Sequence, residues 1–70
     1  MYNNNILPGT LYLPISKKDK SFAIVTRVMS NLIHLQWFVY IYDKYEIIIT
    51  EYSAAKFPAY MISSGYIAWN

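Results

Sequence analysis

Apolar and polar residues alternate with a period of two along most of this 70-residue chain, the spacing of strands with one buried face. Leu11, Leu13 and Ile15 alternate with Tyr12, Pro14 and Ser16, and Pro8-Gly9 just before them is a turn signal. Pro14 has no N–H to give to a ladder, so this first strand is expected at a sheet edge or with a bulge. A charged turn over 16–21 leads to a second strand. There Phe22, Ile24, Thr26 and Val28 face one way and Ala23, Val25, Arg27 and Met29 the other. Both faces are largely apolar, which predicts a central position. Ser30-Asn31 reads as a short hairpin connection.

The third strand carries the clearest pattern. Ile33, Leu35, Trp37, Val39 and Ile41 fall on one face, and Leu32, His34, Gln36, Phe38, Tyr40 and Tyr42 on the other. The first set suits a core, and the second mixes polar groups with amphipathic rings. Asp43-Lys44 is expected as a tight turn. Tyr45–Tyr52 makes a fourth strand, with Ile47 and Ile49 facing opposite to Ile48 and Thr50. Residues 51–56 read as a loop or one helical turn, closed by Pro58. Ala59, Met61 and Ser63 then alternate with Tyr60 and Ile62 as a fifth strand. Ser64-Gly65 is a turn before a terminal strand, Tyr66–Trp69. The expected fold is all-β: a small antiparallel SH3-like barrel or sandwich of five to six strands. It occupies residues 1–70 as one domain, with 1–7 irregular. Closing the sheet would remove its edges.

Composition sharpens this picture. The chain is 56% hydrophobic and only 14% charged, with eight Tyr, three Phe and two Trp. Such a load of rings excludes a disordered chain. A domain this small buries only about 60% of the surface of its unfolded chain, and it has no cysteine for a disulfide. An apolar core, a partner chain or both must therefore supply its stability. Net charge is +2, weak for a nucleic-acid binder, and the one basic cluster is Lys17-Lys18-Asp19-Lys20. A spanning helix needs about 20 apolar residues. The longest apolar stretch, Leu32 to Tyr42, holds His34 and Gln36 and is followed by Asp43 and Lys44. No membrane span is expected. The N-terminus lacks the pattern of a signal peptide, which makes the cytoplasm the expected compartment.

Little in the chain suggests chemistry. His34 is the only histidine, no serine lies in a G-x-S-x-G elbow, and Glu46 and Glu51, five apart on one strand, face opposite sides. Gly9 and Gly65 are isolated, so there is no phosphate-cradling loop. A zinc site lacks ligands. Neither an enzyme nor a cofactor is expected. The aromatic set Phe38, Tyr40 and Tyr42 is more suggestive, with Arg27 and the Lys17, Lys18 and Lys20 turn at its rim. Tyrosine gives contact area at low entropic cost, so these residues are the expected partner-binding surface.

One stretch resembles a known family. Pro8-Gly9-Thr10-Leu11-Tyr12-Leu13-Pro14-Ile15, a polar gap, then Phe22-Ala23-Ile24-Val25-Thr26-Arg27-Val28 is similar to the start of immunity protein 26-type proteins. Lys56-Phe57 to Trp69 loosely resembles a later strand of that family. Thr10 stands where the family has an acidic residue, and Thr26 where it has glycine. The resemblance implies a protein that binds and neutralises a cognate toxin without chemistry of its own. Two other classes compete with a protein-binding module. A small nucleic-acid-binding barrel would stack bases on the same rings, and a self-assembling subunit would add its sheet edge to a neighbour.

Overall fold

Four of the six expected strands form where the alternation places them, and a terminal one follows. The computed structural model describes residues 6–69. They hold β1 (Leu11–Pro14), β2 (Phe22–Val28), β3 (Leu32–Ile41), β4 (Lys44–Ser53), α1 (Phe57–Ser63) and β5 (Tyr66–Trp69). The expected irregular start, 1–7, lies mostly outside the described residues. The fold is mainly β, with one five-stranded antiparallel sheet in the order β4-β3-β2-β1-β5. The sheet is open, with β4 and β5 as its edges, so the expected barrel closure is absent.

The expected fifth strand over 59–63 is instead α1. Pro58 does not stop this helix but lies in its first turn, where a missing N–H costs nothing. Phe57 and Met61, one helical turn apart, are its buried pair and seat it on one face of the sheet. Ser64 ends the helix, and Gly65 takes φ +87° to turn the chain into β5, a conformation open to glycine at little cost.

Pro14 is reconciled with the sheet in an unexpected way. β1 is interior, paired with β2 on one side and β5 on the other. The Ile15 N–H donates to the Gly65 carbonyl at 2.8 Å. By alternation, the Pro14 nitrogen points toward β2, beyond Tyr12↔Ala23, where that ladder ends. The proline therefore interrupts no bond.

The core is the face under α1. Ala23, Val25, Leu35, Phe57 and Met61 are fully excluded from solvent, with Ile33, Tyr12 and Tyr66 nearly so. The Tyr12 ring meets Phe57 edge-on at 5.4 Å, and Tyr66 meets Trp37 at 5.0 Å. Tyr66 also hydrogen-bonds outward. Its hydroxyl donates to Asp19 Oδ2 at 2.6 Å, while the Ser21 N–H donates to Asp19 Oδ1 at 2.9 Å. Asp19 thus ties the β1–β2 turn to β5.

Candidate protein-binding face

Among the described residues no helix lies over the other face of the sheet, and strand register sets its content. Ile49 pairs with Gln36, Gln36 with Ile24, Ile24 with Leu11, and Leu11 with Trp69. This row crosses all five strands with a single polar member. The adjacent row runs from Ile47 through Phe38 to Phe22; Leu13 and its partner Ile67 on β1 and β5 share that face, beyond the end of the β1–β2 ladder. Ile49 is 71% exposed, Ile47 60% and Trp69 64%. A monomeric soluble protein rarely leaves so continuous an apolar surface uncovered.

Polar groups border these rows at both ends. At one end lies the ladder Arg27–His34–Glu51, with His34 Nε2 3.3 Å from Glu51 Oε2. A bulge places Arg27 there. The register shifts between Val25 and Arg27, so Thr26 is an extra residue and Arg27 lands on the helix-free face. Strict alternation had grouped Arg27 with Ala23 and Val25, which would have aimed a guanidinium at the core. Val28 moves to the helix side as a result.

At the other end the rings gather. Phe22 stacks on Phe38 at 4.8 Å, Tyr45 meets Phe22 at 5.7 Å, and Tyr40 meets Tyr45 at 5.0 Å. The charged turn folds against them. The Tyr45 hydroxyl donates to the Lys20 carbonyl at 3.1 Å, and Lys20 Nζ lies 4.9 Å from the Tyr40 ring centre. Ser21 Oγ accepts from the Tyr40 N–H at 3.0 Å, which holds this turn to β3.

The structure therefore groups Phe38, Tyr40 and Lys20 and sets the other expected residues apart. Lys17 and Lys18 are exposed farther along the turn. Arg27 is at the opposite end of the face. Tyr42 is not in the ring cluster: with Asp43 it forms the β3–β4 turn, one residue earlier than expected. Both have positive φ, 52° and 62°, the two-residue hairpin geometry that usually selects Asn or Gly. The Tyr42 side chain is 92% exposed at that tip. Sequence reasoning missed Phe22, Tyr45, Ile47, Ile49, Ile67 and Trp69 as parts of one surface. The alternation on β4 did put Ile47 and Ile49 on a common side, but only the register joins them to Phe38.

Two shallow grooves, each of about 230 Å³, lie elsewhere: one between α1 and β5 beside Met61 and Ile67, one beside Ile6 and Met29. Neither is lined by a histidine, carboxylate or lysine. Among the described residues no three His, Asp or Glu side chains converge, and no helix is long and apolar enough to cross a membrane. Comparison with family models, curated proteins and solved structures finds no match.

Proposed function

We propose that this chain is a non-catalytic protein-binding module whose partner seats on the helix-free face. The supporting observation is the apolar row across all five strands with a second apolar row beside it, bordered by Arg27–His34–Glu51 at one end and the Lys20-capped rings at the other. An apolar centre inside a polar rim is the anatomy of a protein interface. The cations at the rim, Arg27 and Lys20, favour a partner that presents carboxylates around an apolar patch. A toxin neutralised by an immunity protein fits that description, and the resemblance over residues 8–28 and 56–69 gives the reading its direction. The cytoplasm is the compartment this role calls for.

The test is binding of toxin domains, encoded beside the gene for this chain, to wild type and to a Phe38→Ala, Tyr40→Ala variant. Rings that act as interface hot spots cost over about 2 kcal/mol on truncation. The expected result is a stoichiometric complex weakened at least about thirtyfold by the double change. Equal affinity of the variant, with its strand signal intact, overturns the site. Binding of single-stranded nucleic acid that fades steeply with salt would favour the stacking-platform alternative.

A further inference from the structure

The two edges of the sheet differ in a way that points to a second copy of this chain. β5 is an edge of only four residues, Tyr66–Trp69, and short edges are poor templates for further pairing. β4 is an edge of ten residues, Lys44–Ser53, with three consecutive isoleucines, Ile47, Ile48 and Ile49, at its middle. It contains no proline, and its β3 ladder runs in unbroken register from Leu32↔Ser53 to Ile41↔Lys44. None of the usual devices that spoil an edge is present at its centre.

The ladder also says which backbone groups are free to pair. Ile41 and Lys44 close the two-residue turn, so they form a hydrogen-bonded pair, and every second pair after them does too. The Tyr40 N–H agrees, since it points to Ser21 on the β2 side. The backbone groups of Tyr45, Ile47, Ile49 and Glu51 therefore point away from β3, where no strand lies among the described residues.

We propose that β4 pairs antiparallel with β4 of a second copy, about a two-fold axis that passes midway between the two Ile48 residues, perpendicular to the sheet. Directly opposed residues of an antiparallel pair lie on the same face, so only registers whose opposed numbers have an even sum are allowed. The register centred on Ile48 sets Ile47 opposite Ile49 of the second copy twice, and Ile48 opposite itself. Glu46 then meets Thr50 and Glu51 meets Tyr45, so no carboxylate faces another. Its hydrogen-bonded pairs use the same four outward residues, Tyr45, Ile47, Ile49 and Glu51. A slip of two residues either way replaces an isoleucine pair with Ile47 against Glu51 or Ile48 against Glu46. This is an isologous contact, closed at two copies. The axis also puts both helix-free faces on the same side, so the apolar rows continue from one copy into the other.

The register yields its own test. Light scattering on a sizing column, from micromolar to millimolar chain, is expected to show twice the 8.2 kDa monomer mass. Ile47→Lys and Ile49→Glu, each at a largely exposed side chain, are each expected to weaken dimerisation at least about tenfold, because either change replaces two apolar cross-strand pairs per dimer. Mixing the two variants, or combining I47K and I49E in one chain, is expected to restore the dimer. In the proposed register the introduced lysine then faces the introduced glutamate of the other copy. In the double variant, a slip of two residues sets position 47 or position 49 opposite itself, like charge against like, although one of the two slips also sets the introduced lysine opposite Glu51. Circular dichroism on each variant confirms that its strands are intact. A monomer at every concentration overturns the proposal, as does a dimer that both single variants leave unchanged. Failure of the mixture and the double variant to restore the dimer overturns the register. None of these outcomes depends on a toxin or other partner.

Discussion

The two faces of this sheet are built from similar residues and have opposite fates. Under α1, Val25 of β2 and Leu35 of β3 are sealed from water; on the opposite face, Ile47 and Ile49 of the edge strand β4 are mostly exposed. Composition does not separate them, because isoleucine, tyrosine and tryptophan occur on both. The seven-residue helix covers only one face, and reaches only part of that one: Ile48 and Ile41, on the helix side of the long hairpin, are still 46% and 40% exposed. Burial here is decided by what lies on top, so the uncovered face is where a partner adds most.

Truncation should break this comparison most sharply. Phe57→Ala removes a fully buried ring that touches Tyr12 and Tyr52; such changes cost about 3–5 kcal/mol, a large share of what a small domain has. Ile49→Thr on the opposite face should change stability by less than about 0.5 kcal/mol. Paired urea titrations of the isolated monomer measure both. Equal costs would mean that the helix-free face is covered in solution.

A smaller effect concerns the hydrogen bond that reaches out of the core. Burial, with the Asp19 carboxylate beside it, pushes the Tyr66 hydroxyl up to about 12 from its ordinary 10.0. The Tyr66 hydroxyl, with the Ser21 N–H, holds Asp19 below its ordinary 3.8 despite some burial. Tyr66 is raised in the folded state, so its contribution is whole below pH 10.0 and is lost as pH climbs toward about 12. Asp19 is lowered, so its contribution is present above 3.8 and lost as pH falls through its folded value. Tyr66→Phe should cost about 1–2 kcal/mol near neutrality, and the gap to wild type should narrow at both extremes. Thermal melts across pH read this directly, and a constant gap would refute the Asp19 link.

The smallest effect lies at the tip that both faces share. Tyr42 holds a left-handed backbone without glycine's freedom, so Tyr42→Asn should stabilise the hairpin by up to about 1 kcal/mol. A loss in chemical-denaturation midpoint instead would mean that the ring contributes to the fold.

Much of this fold is legible in the sequence. Strict alternation places β2, β3 and β4, and the turn residues place Gly9 and Gly65. The misreadings are physical and local. Residues 59–63 alternate well enough for a strand, but Phe57 and Met61 are also one helical turn apart, and short segments of this kind satisfy both periods. Pro14 marks an edge only if its nitrogen faces a neighbour, which depends on where the β2 ladder stops. Of the helix-free face, Phe38, Tyr40 and Lys20 were recognisable as rings near a basic turn. Phe22, Tyr45 and the isoleucines of β4 were not, because cross-strand neighbours depend on register.

By itself, then, the sequence determined the strands, their turns and an excess of apolar side chains, because these follow from local periodicity and backbone preference. Tertiary structure alone decided which face that excess would occupy. The bulge at Thr26 turned Arg27 outward, the helix chose one side, and the ladders aligned an apolar row across five strands. Each depends on contacts between distant segments, which no local pattern encodes.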